Sequence, residues 1–258
     1  MDLHLKGKTA IVTGGSRGIG SYIARALAGE GCRLALCARG EEQLQATAGA
    51  LEADGAEVLT VPLDVTRPEA AAEMVAATCE RFGGVDILVN NVGGNRRGAF
   101  ADLSDEDWES VLELNFKAHQ RFSREVIPAL RASGGGVILF IASIFGREAG
   151  GPGLAIYNAT KSALISMAKI MALELAGEGI RVVSIAPGSI RFPGGSWDKR
   201  CLDDPEGMAA FIEQNLPIGR FGSAEEVGDV AAFLVSERAS LITGACINVD
   251  GGQSRSLI

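Results

Sequence analysis

The sequence predicts an α/β protein: a single domain over residues 1–258, built on a doubly wound parallel sheet. Three observations carry this. Short β-rich apolar runs alternate along the chain with segments of helical period. The runs are apolar on both faces, as strands covered by helices on either side must be. Parallel neighbours need a crossover between them, and helical segments of suitable length lie there. With 258 residues and 47% hydrophobic composition, the chain can bury a substantial core.

Taken in order, Thr9 to Thr13 is a strand, followed by glycines and a helix from Ile19 whose Ile23, Ala24, Leu27 and Ala28 fall at helical spacing. Arg33 to Cys37 and Glu57 to Val61 are strands, each followed by a helix, at Glu41 to Ala53 and Pro68 to Phe82. Asp86 to Asn90 and Gly136 to Ala142 are buried strands separated by a long helix that starts after Ser104. A helix from Ala155 to Ala176 precedes a strand from Ile180 to Ile185. Ser223 and Glu226 stand at capping-box spacing before another helix, and Cys246 to Val249 closes the sheet. The stretch from Pro187 to Pro217 is the least regular, and residues 188–217 are expected to form a mobile substrate lid.

Several function classes are set aside at this stage. The opening MDLHLKGKTAIVTGG leads from a charged segment straight into a glycine turn, without the apolar middle of a signal peptide, so a cytoplasmic protein is expected. Val137 to Ala142 is far shorter than the ~18 residues of a membrane-spanning helix, so no membrane association is expected. The five cysteines are scattered, with no Cys-x-x-Cys pair and no histidine cluster, which predicts reduced thiols and no metal site. A net charge of −8 opposes binding to nucleic acid.

The turn Thr13-Gly14-Gly15-Ser16-Arg17-Gly18-Ile19-Gly20 lies where the first strand hands over to the first helix. Free backbone amides at a helix start cradle a pyrophosphate, and glycine lets it come close. A ligand at the carboxyl end of a parallel strand is what a Rossmann-like sheet binds, so a dinucleotide is expected here. An NAD site would place an acid at the end of the second strand, and this chain has Ala38-Arg39. Arg39 and Arg17 are suited to the 2′-phosphate of NADP, which is the expected cofactor, the alternative being that both are solvated surface. Asp64-Val65, past the third strand, fits either an adenine contact or the cap of the following helix.

Tyr157 and Lys161, four residues apart on a helix, share a face with Cβ atoms ~5–6 Å apart. An ammonium beside a phenol favours the phenolate, bringing a group of pKa ~10 within reach of general acid–base work. Ser143 ends the preceding strand, where its hydroxyl can bond the same substrate oxygen. Asn115, within the long helix, is by itself equally compatible with an ordinary paired amide.

Taken together, Thr-Gly-x-x-x-Gly-x-Gly at 13–20, Asn90-Asn91-Val92-Gly93, Asn115, Ser143, Tyr157-x-x-x-Lys161 and Pro187-Gly188 resemble the single-domain short-chain dehydrogenases/reductases over essentially the whole chain. The resemblance implies an NADP(H)-dependent oxidoreductase that interconverts a ketone and a secondary alcohol. It implies that Tyr157 protonates the substrate oxygen, Ser143 orients it, and Lys161 lowers the tyrosine pKa and holds the nicotinamide ribose. It further implies that Asn115 supports a proton relay through water, that Asn91 and Gly93 line the cofactor, and that Ile190, near Pro187 and Gly188, meets the carboxamide. A homotetramer is the usual assembly of such proteins.

Three positions depart from the pattern: Val92 for a common alanine, Ser184 for a frequent asparagine, and Phe192 where many relatives carry a threonine that grips the carboxamide. Within the family the chain most resembles 3-oxoacyl-thioester reductases. Pro128 and Leu173 stand where members serving an acidic acyl carrier protein tend to have bases, which places a free ketone or alcohol ahead of a thioester. A silent NADPH-binding regulator would not need Ser143, Asn115, Tyr157 and Lys161 together, and redox-neutral relatives generally carry a longer substrate region. Phe145, Phe192 and Trp197 are candidates for an apolar substrate pocket, or else pack the lid against the domain.

Overall fold

The computed structural model describes residues 1–257. The first half runs β1 (Thr9–Thr13), α1 (Gly18–Gly29), β2 (Arg33–Ala38), α2 (Glu41–Ala53), β3 (Val58–Pro62), α3 (Ala70–Phe82) and β4 (Ile87–Asn90). It continues through α4 (Asp105–Leu112), α5 (Ala118–Ala132), β5 (Gly136–Ile141), α6 (Ala155–Leu175) and β6 (Ile180–Pro187). The last part is β7 (Ile190–Arg191), α7 (Ser196–Asp203), α8 (Pro205–Asn215), β8 (Gly222–Ser223), α9 (Ala224–Val235) and β9 (Cys246–Val249).

Seven strands make one sheet in the order β3-β2-β1-β4-β5-β6-β9, every pair parallel, as the doubly wound α/β prediction requires. Strand alternation sends Ala10 and Val12 into the core shared with α1 and α9, and Ile11 into the core shared with α3, α5 and α6. The chain turns back on itself between β1 and β4. That is the switch point at which open parallel sheets leave a crevice beyond their carboxyl ends. Helices α1 and α9 approach closely because Gly228 has no side chain: a Cβ there would lie 2.8 Å from the Tyr22 carbonyl oxygen.

Three predicted elements differ. Helix α3 begins at Ala70 rather than Pro68, because Asp64 accepts bonds from the Thr66 amide at 3.0 Å and its hydroxyl at 2.8 Å and holds the chain in a turn. The long helix after Ser104 is two helices joined by a π-helical turn, Glu113–Lys117, which carries Asn115. The stretch expected to be an irregular lid is largely α7 and α8. Asp204 caps α8 by accepting from the Gly207 amide, and Pro205 occupies its first turn. Ser223 and Glu226 form the capping box that opens α9.

Candidate active site

The glycine turn is wound tightly at the end of β1. Gly14 and Gly18 have φ of +69° and +57°, in the left-handed region open to glycine. A Cβ on Gly20 would lie 2.3 Å from the Gly14 carbonyl oxygen, so the first turn of α1 sits directly against the strand end. Arg17 precedes α1 without a side-chain cap, which leaves the helix-start amides for a ligand. The Thr47 hydroxyl donates to the Ser16 carbonyl at 2.8 Å and ties the turn to α2. Ile19 is packed against the core beneath α1.

Asn91 holds this turn to the end of β4. Its Nδ2 donates to the Thr13 carbonyl at 3.0 Å and its backbone amide to the Thr13 hydroxyl at 2.9 Å. Arg17 and Arg39 are exposed, and among the described residues neither guanidinium is hydrogen-bonded or ion-paired. Asp64, the other candidate at this edge, is committed to Thr66. That bond, with the Thr66 hydroxyl and nearby Arg39 assisting, lowers its carboxyl pKa. Val65 is buried in the core, which leaves only its backbone to a cofactor.

The four candidate catalytic residues converge. Ser143 follows β5, is 6% exposed, and its Oγ accepts from the Phe145 amide at 3.1 Å. Tyr157, on the first turns of α6, is half-buried and hydrogen-bonded to Ser143. One turn on, Lys161 is buried, with its Nζ donating to the Ile141 carbonyl at 2.8 Å and lying 5.8 Å from the centre of the Tyr157 ring. A Cβ on Gly93 would meet that Nζ at 3.4 Å, so glycine gives the lysine head its room.

Asn115 is fully buried in the π turn. Its Oδ1 accepts from the Gly94 amide at 2.8 Å, and its Nδ2 donates to the Gly94 carbonyl at 2.9 Å and to the Thr160 hydroxyl at 3.0 Å. Asn115 thus fastens the loop after β4 to the helix that carries Tyr157 and Lys161.

The electrostatics depart from the expected direction. Burial raises the Tyr157 pKa, with the Ser143 hydrogen bond opposing it, and burial pushes Lys161 down to about 8. A lysine whose amine is held by the Ile141 carbonyl does not offset the desolvation of the phenol. Tyr157 is therefore protonated near neutral pH. Nearby His119, stacked on Phe140, is pushed down to about 3 by burial and is neutral, with its Nε2 2.8 Å from the Val92 carbonyl. Ser184, one of the departures, is buried on β6, and its hydroxyl has no hydrogen-bond partner among the described residues.

Ser143 and Tyr157 open into a pocket of about 210 Å³. Phe145 and Trp197 line it, and Trp197 also packs on Phe211 and Phe221 at ring distances of 4.8 and 5.1 Å, so it both walls the pocket and holds α7 to α8. Phe192 is not in this wall. Its ring lies where a Cβ on Gly18 would meet it at 3.0 Å, over the glycine turn, because the bend at Gly194 and Gly195 folds it back. Ile190 turns its side chain into the core against Gly222, leaving its backbone to the crevice. Pro187 ends β6 beside Val249, and a Cβ on Gly188 would strike Asp250 at 2.7 Å.

Sequence reasoning missed the polar part of the pocket: Asn95, Arg97, Ser189, Ser196, Arg200 and Gln253. Gln253, near the chain end, reaches in because its Oε1 accepts from the Ser189 amide at 2.7 Å. No local pattern marks these residues, although Arg97 stands between glycines in the loop after β4 and Arg200 three positions after Trp197 on α7. A second cavity of about 230 Å³ lies at the opposite ends of the strands, among Lys8, Asp86, Gly135 and Arg181, far from the hydroxyl pair.

Comparison with known proteins agrees with this arrangement. Residues 14–254 match a family model described as enoyl-(acyl carrier protein) reductase. Dehydrogenase/reductase SDR family member 4 of Oryctolagus cuniculus is 37% identical over 253 residues, covering 96% of this chain and 94% of its own. The 3-oxoacyl-(acyl-carrier-protein) reductase FabG of Escherichia coli K12 is 37% identical over 250 residues, covering 97% and 98%. The L-sorbose reductase of Gluconobacter frateurii, solved with NADPH and L-sorbose, superimposes with a TM-score of 0.95 at 38% identity over 100% of both chains. With its sheet order, glycine turn and Ser143, Tyr157 and Lys161 gathered at one strand end, this chain belongs to the short-chain dehydrogenase/reductase family and is an oxidoreductase.

Proposed function

We propose that this protein is an NADPH-dependent reductase of a free ketone, running in reverse on the corresponding secondary alcohol. The observation that carries the reading is the hydrogen-bonded Ser143–Tyr157 pair facing one pocket, with Lys161 and Asn115 immediately behind it. Bound at the glycine turn, NADPH would supply the hydride for the carbonyl carbon. Ser143 holds the carbonyl oxygen, and Tyr157, whose raised pKa keeps it protonated, donates the proton to that oxygen. Lys161 provides positive charge and a donor towards the nicotinamide ribose, while Asn115 ties the helix bearing Tyr157 and Lys161 to the loop after β4.

The residues at the sheet ends fit the cofactor. The glycine turn has the close packing a pyrophosphate cradle requires, and Asn91 and Gly93 lie at the switch point beside it. Exposed Arg17 and Arg39, which form no ion pair among the described residues, suit a 2′-phosphate. Arg39→Glu is expected to raise the KM for NADPH roughly 10- to 100-fold while lowering that for NADH, measured by initial rates with each cofactor. An unchanged cofactor preference would contradict the NADPH assignment.

Reduction of a 3-oxoacyl thioester is the second reading, favoured by the likeness to FabG. Against it stand the net charge of −8 and the bare apolar surface at Leu173, 69% exposed, since an acidic carrier protein would be repelled and find no base there. NADPH consumption with free ketones beside a 3-oxoacyl thioester separates the two. We also infer a cytoplasmic homotetramer. Ile170 and Leu173, adjacent on the outer face of α6 at 52% and 69% exposed, supply apolar surface that assembly would bury. Light scattering is expected to return four times the 26.8 kDa chain mass, and a monomer would overturn this.

A further inference from the structure

Two arginines, both exposed to solvent, are among the residues that line the Tyr157 pocket, and no carboxylate lines it with them. Arg97 comes from the loop after β4 and Arg200 from α7, so two segments far apart in the chain each contribute one. No Asp or Glu is among the lining residues. The sequence neighbours of this region are neutralised: Arg96 pairs with Asp107 at 2.9 Å, and Arg191 with Asp198 at 3.0 Å. Among the described residues the Arg97 guanidinium has no hydrogen bond or ion pair. Arg200 lies over the Trp197 ring at 4.9 Å, and among the described residues its guanidinium has no hydrogen bond or ion pair.

Two cations in one concave site repel each other and strengthen the field felt by any anion that enters. In a chain of net charge −8, two unbalanced arginines beside the reacting hydroxyls are a recognition device and not a consequence of overall composition. We infer that the ketone substrate carries an oxyanion, a carboxylate or phosphate, bound by Arg97 and Arg200 while its carbonyl meets Ser143 and Tyr157. The inference rests on the ketone-reductase reading. Asn95, Ser189 and Ser196 provide further polar contacts, which suits a small hydrophilic molecule better than a long acyl chain. The oxyanion takes no part in the hydride and proton transfers. It orients the molecule, and its binding energy is spent on placing the carbonyl.

The test compares matched substrates: a keto acid with its methyl ester, and a ketose phosphate with the free ketose. The wild-type enzyme is expected to favour one anionic member by at least about 10-fold in kcat/KM, and that member identifies the oxyanion. Arg97→Gln and Arg200→Gln are each expected to lower kcat/KM for it about 10- to 100-fold, mainly through KM, and at least tenfold more than for its neutral partner. Added salt should raise the wild-type KM for the anion alone. Equal turnover of charged and neutral partners, or equal losses on both, overturns the inference while leaving the ketone-reductase reading intact.

Calorimetric titration of the same ligands into the Tyr157→Phe protein reads binding without turnover. Arginine-dependent binding of the anion with no wild-type reduction of any ketone supports the site and sinks the reductase reading. Absence of anion binding overturns the site. Circular dichroism and the NADPH dissociation constant of the arginine variants exclude misfolding as the cause of a loss.

Discussion

Tyr157→Phe is expected to lower kcat for ketone reduction by about 100- to 10,000-fold, with the NADPH dissociation constant changed by less than about threefold. The phenylalanine keeps the ring beside Lys161 and removes only the hydroxyl that Ser143 holds. Stopped-flow measurement of NADPH oxidation under saturating substrate checks this, and a variant retaining a tenth of the activity would remove Tyr157 from the role of proton donor. The pH profile follows from the same pair. Burial raises the tyrosine, so its donor form persists beyond neutral pH, whereas Lys161 loses its charge as the pH rises through about 8. The reduction rate of the wild type is therefore expected to be flat near neutrality and to fall above about pH 8. For stability the sign is opposite. An unfolded lysine stays protonated up to its ordinary 10.5, so between about 8 and 10.5 the unfolded chain binds more protons, and this group's contribution to stability grows as the pH rises.

Gly20→Ala has the largest expected effect on the cofactor side. Its methyl would lie 2.3 Å from the Gly14 carbonyl oxygen and 2.5 Å from Asn91 Nδ2, and both atoms belong to the clamp that joins the ends of β1 and β4. Neither is the free end of a flexible chain, so the turn must open. The expected result is a loss of NADPH affinity of at least about 100-fold, with overpacking destabilising the fold by roughly 1–3 kcal/mol. Gly29→Ala, at the other end of α1 with nothing within 4 Å of its added methyl, is the control. It should bind NADPH normally and gain a few tenths of a kcal/mol, up to about 1 kcal/mol, from helix propensity. Fluorescence titration of NADPH and thermal unfolding report both quantities, and wild-type affinity in Gly20→Ala would refute the cradle geometry.

Where local chemistry specified an element, the sequence was legible. The seven sheet strands were recognised within a few residues because buried parallel strands are short, apolar and bounded by turns. The Ser223–Glu226 capping box was readable for the same reason, since both partners lie within one helical turn. Asp204-Pro205 was an equally local signal, but the density of glycine and proline around it suggested an irregular lid and hid α7 and α8. The π turn at Glu113–Lys117 was not legible. It is held by bonds from Asn115 to Gly94 and Thr160, residues 21 and 45 positions away. Phe192 was misplaced because its position depends on a bend that folds its ring onto Gly18 rather than towards Trp197.

The sequence by itself determined the fold class, the handover from β1 to the glycine turn, and the set of groups able to perform acid–base chemistry. Periodicity, helix spacing and glycine's conformational freedom act over a few residues, and they are written in the order of the chain. Only the tertiary structure decided that the Lys161 amine donates a hydrogen bond to the Ile141 carbonyl and that burial raises the Tyr157 pKa. It alone decided that Arg97, Arg200 and Gln253 share one pocket with Ser143. Burial and charge proximity are set by which distant segments the sheet order brings together, and a parallel sheet gathers the carboxyl ends of strands far apart in sequence into a single crevice.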